Sequence, residues 1–173
     1  PMLWSPDPAT AALIWALLAA ATVHGAFIAA TLTWRDVVRT IASALKWVIG
    51  LSLAFELAVA VFVGGPLLPR FVIAEGEADA AVYWSRGDFF GGSPLEGIVG
   101  DPGVLGALMV LAIVVFTIRF AAGAPRRPVL LAWIVVAGFI LVRSGSTVSF
   151  LALAGVALVL TTVLLMRTAT HPG

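Results

Sequence analysis

The 173-residue chain is 61% hydrophobic and only 11% charged, with a mean hydropathy of +1.10, which excludes a soluble domain and indicates an integral membrane protein. Ten Lys and Arg against nine Asp and Glu leave a formal charge of +1, so the pI near 9.0 is no argument for a nucleic-acid partner. The absence of cysteine removes disulfides, thiolate chemistry and cysteine metal sites together. The chain opens at Pro1 without the pattern of a signal peptide and reads as a segment of something longer.

Pro1 to Pro8 is a short polar lead in which Trp4 suits an interfacial anchor. The apolar run 9–32 is long enough to span a bilayer, since about 20 residues at about 1.5 Å each cross the hydrocarbon. His24 within it has no carboxylate or second His a turn away, and reads as a helix-packing partner ahead of a proton relay or ligand. Trp34 to Arg39 reads as a basic, aromatic turn, followed by a second span at 41–63. Lys46 can snorkel out of that span, but Glu56 has a short stem between Phe55 and Leu57, so it should face the bundle and have a partner.

Gly64, Gly65, Pro66 and Pro69 end the second span and open a long loop over 64–103. Its later part, Trp84 to Gly106, holds seven Gly and two Pro in 23 residues and runs directly into the third span, 104–119. A basic turn, Ala124 to Pro128, leads to a fourth span at 129–142; Arg143 to Ser146 interrupts it before a fifth at 147–166. The expected fold class is thus an all-α integral membrane protein, a single module over 1–173 with about five transmembrane helices and one long loop between the second and third. Arg35, Arg39, Lys46, Arg119, Arg126, Arg127 and Arg167 share one side with only Asp36, which the positive-inside rule makes cytoplasmic and which puts the Gly-rich loop outside.

The third and fourth spans are short. At about 15 apolar residues each they rise only about 22 Å, below the roughly 30 Å of a hydrocarbon core, so their outer ends are expected to meet within the outer leaflet. Irregular backbone at that depth is tolerated where it lines a cavity or is buried in protein, which predicts an outward-facing, partly wet pocket floored by Gly97 to Gly103 and Arg143 to Ser146. Arg143 at such a break needs an anion, which Glu56, Asp101 or a ligand phosphate can supply; pairing with Glu56 to hold the bundle is the plainer alternative. Arg86 beside Trp84 and Asp88 is a second candidate against an ordinary solvated loop arginine. Asp88 and Glu96, on either side of Phe89 and Phe90, suit sugar hydroxyls. Glu75, Glu77 and Asp79 read as a solvated loop crest, and Ser144, Ser146 and Ser149 as helix caps and packing residues, since no His lies near for a nucleophilic relay.

The order of these pieces resembles the O-antigen ligase and polymerase superfamily over roughly Ser43 to Arg167. The resemblance rests on Gly97-Ile-Val-Gly-Asp-Pro-Gly-Val-Leu-Gly106 leading into a helix, and on the Arg143-Ser-Gly-Ser146 helix junction. It implies an inverting, metal-independent glycosyltransferase without a cofactor. Such enzymes transfer or polymerise a glycan from an undecaprenyl-diphosphate carrier onto a glycan or lipid acceptor at the outer face of the bacterial cytoplasmic membrane. By the same resemblance Arg143 and Arg86 hold the diphosphate; Asp101 and Glu56, the acidic residues that can meet Arg143, complete the candidate substrate-binding set. Two departures stand out: Gly103 occupies the place of the family's usual Asn, and the His that such enzymes carry in a large later loop is expected beyond Gly173, because His171 falls in a cytoplasmic tail. A transporter or flippase segment for a lipid-linked substrate, and a noncatalytic membrane subunit, are the competing readings.

Overall fold

The computed structural model describes residues 7–68 and 83–170, with the backbone alone at 163, 164 and 167–170. Trp4, Arg70, the acidic run Glu75 to Asp79 and His171 lie outside the described residues. The regular structure is helical: α1 (Pro8–Thr31), α2 (Trp34–Ala58) with a final π turn (Val59–Val63), a 3-10 turn (Gly97–Val99), α3 (Pro102–Ala121), α4 (Arg127–Ser144) and α5 (Thr147–Thr170). Pro8–Thr31, Trp34–Val63, Pro102–Ala121 and Arg127–Ser144 are long and apolar enough to cross a membrane, and α5 adds a shorter apolar stretch, Thr147–Thr162. This is the architecture of a multi-pass membrane protein.

The chain divides into two compact units, Pro1–Ile41 and Ala42–Gly173. In the first, Asp7 caps α1 by accepting from the Ala9 and Thr10 amides at 3.1 and 3.2 Å. The Thr10 hydroxyl on the same carboxylate holds the Asp7 carboxyl below its ordinary value. The expected turn at Trp34 to Arg39 is instead the beginning of α2. Thr33 and Asp36 form a reciprocal cap there: the Thr33 hydroxyl donates to Asp36 Oδ2 at 2.6 Å, and the Asp36 amide donates back at 3.4 Å.

In the second unit α3 is the hub, packing against α4, α5 and the 3-10 turn. Its start lies two residues earlier than the apolar run indicates, because Asp101 Oδ1 accepts from the Val104 amide at 2.7 Å and Pro102 tolerates the first helical position. With 20 and 18 residues, α3 and α4 rise about 30 and 27 Å. They span nearly the whole hydrocarbon, so the expectation that both stop well inside the outer leaflet is not met.

The core is built from Ile49 of α2, Leu105, Met109 and Phe116 of α3, and Ile140 and Leu141 of α4, all fully buried. Alternating faces explain why: Ala42, Leu45, Ile49, Ser52 and Glu56 recur on one stripe of α2 and are its buried residues. The close approach of α3 to the α4–α5 junction depends on Gly106. A Cβ there would lie 2.6 Å from Ser149 Oγ and 2.9 Å from Ser144 Oγ, both buried. Gly106→Leu should therefore destabilise the bundle by about 1–3 kcal/mol through overpacking. Gly138→Leu, where a Cβ meets nothing within 4 Å, should not; thermal unfolding of the two detergent-solubilised variants checks the difference.

Candidate functional site

The described part of the loop is tied both to itself and to the helices. Leu67 and Ser85 form an isolated antiparallel bridge, with the Leu67 amide donating to the Ser85 carbonyl at 2.7 Å and the Trp84 amide to the Leu67 carbonyl at 2.8 Å. Trp84 stacks obliquely on Phe55 of α2, ring centroids 5.8 Å apart, and its indole N–H donates to the Ile98 carbonyl at 3.3 Å. Ser85 is thereby carried inside, where its hydroxyl donates to Glu56 Oε2 at 2.7 Å.

Glu56 is 3% exposed. Its other oxygen accepts from the backbone amides of Glu96 and Gly97 at 3.0 and 2.7 Å. Three donors thus converge on one carboxylate, which is how a charge within a span is made tolerable. Gly97 can offer its amide in this way because it adopts a left-handed backbone (φ +62°) and because a Cβ would stand 2.7 Å from Ser52 Oγ. The expectation that Glu56 faces the bundle and has a partner is met. The partner is not Arg143.

Glu96 is equally buried, at 3% exposure. Arg86 Nε donates to its Oε1 at 3.2 Å, while Oε2 has no partner. Burial pushes the Glu96 carboxyl above its ordinary value, opposed by the Arg86 charge and hydrogen bond and reinforced by the negative charges of Glu56 and Asp101. A buried side chain cannot reach a sugar on the loop surface, so the expectation that Asp88 and Glu96 flank such a ligand fails at Glu96. Asp88 accepts from the Ser93 hydroxyl at 2.7 Å, which holds its carboxyl below the ordinary value. Phe90 is 77% exposed beside Phe89, the two rings edge to face at 5.1 Å.

Arg143 closes the arrangement from the end of α4. Its Nη2 donates to the carbonyls of Ser93 at 3.1 Å and Asp88 at 3.5 Å, its own carbonyl accepts from the Leu95 amide at 3.0 Å, and its Nε is buried without a partner. Among the described residues the ion pairs are Arg39–Asp36 and Arg86–Glu96, so the expected Arg143–Glu56 pairing is not formed. The α4–α5 junction is met by the Leu95 amide, which donates to the Arg143 carbonyl, and by Gly106 of α3. Among the described residues Leu95, Gly97, Ser52 and Glu56 close onto Leu105 and Ile140, leaving a crevice too narrow for water there.

Of the four sequence-derived site residues, Glu56 is buried beside Glu96, and the half-buried Arg86 is paired with Glu96. Arg143 is held by the Ser93 carbonyl, and Asp101 caps α3 from an exposed position. Ser144 donates to the Leu141 carbonyl at 2.8 Å, and Ser146 caps α5 through the Ser149 amide at 3.3 Å, the helix roles expected of them. Sequence reasoning missed Ser85 and the Glu96–Gly97 amides as the ligands of Glu56. A serine in a loop and a pair of amides carry no pattern that could reveal them. Among the described residues no three His, Cys, Asp or Glu stand close enough to hold a metal ion.

Neither family models, nor curated proteins, nor solved structures match this chain.

Two outcomes are expected from the cluster. Glu56→Ala leaves the Ser85 hydroxyl and two buried amides without an acceptor, and should cost about 3 kcal/mol or more, since each orphaned donor costs about 1–3 kcal/mol. Glu56→Gln keeps an acceptor for the amides and should be distinctly milder; unfolding midpoints order the two. Because the Glu96 carboxyl is raised in the folded protein, the unfolded chain ionises first. Folding is therefore weakened as pH climbs from the ordinary carboxylate value through the raised one. Unfolding midpoints measured across that window should fall more steeply with pH for wild type than for Glu96→Gln.

Proposed function

We propose that this chain is part of a membrane glycosyltransferase that transfers or polymerises a glycan from an undecaprenyl-diphosphate carrier at the outer face of the bacterial cytoplasmic membrane. The resemblance of Gly97–Gly106 and Arg143–Ser146 to the O-antigen ligase and polymerase superfamily is the starting point. The single observation that supports it best is the state of Arg143. Its guanidinium is held by neutral carbonyls, with no described carboxylate in ion-pair contact and with one buried nitrogen unpartnered. A fixed cation held by neutral carbonyls at the end of a span suits the charge that develops on a diphosphate as the glycosidic bond to it breaks. Arg86, whose side chain is 34% exposed while anchored on Glu96, provides a second cation on the same loop cluster, and the exposed Phe90 ring a face for sugar stacking.

In this reading the carrier's isoprenoid stays in the hydrocarbon while its diphosphate meets Arg143 at the loop. The acceptor hydroxyl attacks the anomeric carbon, the bond to the diphosphate breaks with inversion, and the hydroxyl proton leaves to a base that lies outside the residues assigned here. A noncatalytic membrane module is the second reading, favoured by Glu56, whose carboxylate is fully engaged in holding the loop.

Transfer of labelled glycan from its undecaprenyl-diphosphate carrier, in membranes bearing the full-length protein, separates the two. Arg143→Gln retains a neutral donor for the Ser93 carbonyl, so the loop anchor survives while the charge is lost. It should lower transfer by about a hundred-fold or more at matched protein level, with EDTA without effect on the wild type. Unchanged transfer in the variant would remove Arg143 from the reaction, and no transfer by the wild type would favour the noncatalytic module.

A further inference from the structure

On the opposite side of α2 from the buried stripe, Ser43, Lys46, Trp47, Gly50 and Leu51 recur at the three- and four-residue spacing of one helix face. With Trp133 of α4 they line a groove of about 460 Å³, within the size range of small-molecule sites. Its walls are almost wholly apolar, and Trp47 is 69% exposed. Gly50 shapes it: a Cβ at that position would meet nothing within 4 Å, so the groove is open where a side chain would otherwise stand.

One polar end breaks this apolar lining. Lys46 lies in the groove within electrostatic reach of Arg119, at the end of α3, and Arg126, in the α3–α4 turn. None of the three is in an ion pair with a described carboxylate. Arg119 and Arg126 act on the charge of Lys46, which itself lines the groove, and like charges near one another become favourable when an anion joins them. The cations occupy the side that the charge pattern makes cytoplasmic, where anionic headgroups concentrate.

We infer that this groove is a binding site for an anionic phospholipid of the inner leaflet, its acyl chain lying along Trp47, Gly50, Leu51 and Trp133 and its phosphate among Lys46, Arg119 and Arg126. The site lies on the face of α2 opposite Ser52 and Glu56, and does not depend on the glycan-transfer reading. Two features fix the class of ligand. The apolar walls of the groove call for a hydrocarbon chain, and the cations beside it call for an anionic headgroup on that chain. A neutral zwitterionic lipid satisfies the first requirement alone.

The test is a lipid titration of the detergent-purified full-length protein, followed by its unfolding midpoint, with dioleoyl phosphatidylglycerol and dioleoyl phosphatidylcholine as the two probes. Phosphatidylglycerol should raise the midpoint in proportion to the logarithm of its concentration once the site fills, and phosphatidylcholine should do so less. Lys46→Gln should weaken the phosphatidylglycerol effect about five-fold in concentration, the loss of one cation near a phosphate. Gly50→Leu fills the groove with the charges intact, and leucine favours the helix over glycine, so its midpoint without lipid should be at least that of wild type while the phosphatidylglycerol response disappears. Equal stabilisation by both lipids would overturn the proposal, as would a phosphatidylglycerol response that survives Gly50→Leu. So would a change of oligomeric state in Gly50→Leu, because the groove would then be filled by a second copy of the chain.

Discussion

A carboxylate inside a transmembrane span persists only where donors reach it, and in this protein they reach Glu56 from a loop 29 to 41 residues further along the chain. The consequence extends well beyond one side chain. The backbone of α2 makes no extensive close approach to α3 or α4; the three hydrogen bonds to Glu56, with that from the Ile98 amide to Ser52 Oγ at 3.4 Å, tie the helix to the loop. They also fix the loop. Ser85 is drawn inside, the Leu67–Ser85 bridge forms beside it, and the 3-10 turn at Gly97–Val99 is held against α3.

The glycines of the loop and of α3 are what permit this geometry. At Gly97 the backbone turns into the left-handed region to aim its amide at Glu56, and the space a side chain would need is already occupied by Ser52. At Gly106 no unusual backbone is involved; the constraint is proximity alone, since Ser144 and Ser149 approach from the helix junction. Among the described residues, Leu95 and Gly97 of the loop close against Leu105 and Ile140, leaving only a narrow crevice there.

The two ends of the second unit carry cations in opposite circumstances. At the loop end Arg86 is matched by Glu96, and Arg143 is held by carbonyls. At the other end Lys46, Arg119 and Arg126 gather beside an apolar groove without an acidic partner among the described residues. Fixed charge without a counter-charge in a low-dielectric setting is where a ligand has most to contribute. Each proposal rests on cations outside an ion pair among the described residues, Arg143 for a diphosphate and Lys46, Arg119 and Arg126 for a phospholipid phosphate.

By itself the sequence determined the helical class and the approximate spans, because runs of about 20 apolar residues have no other stable use and because Gly, Pro and Arg punctuate them. It determined too that Glu56 must turn inward and find a partner, since the cost of an unpaired carboxylate is a property of the residue and its apolar neighbours. Helix limits were less legible: the Thr33–Asp36 cap carried α2 back to Trp34, and Asp101 with Pro102 carried α3 outward, so lengths judged from hydropathy alone came out too short. What only the tertiary structure decided was the identity of the partners. Glu56 is met by backbone amides and a serine, Arg143 by carbonyls and Glu96 by Arg86, because hydrogen-bonding groups present on every residue leave no trace in a sequence until the fold brings them together.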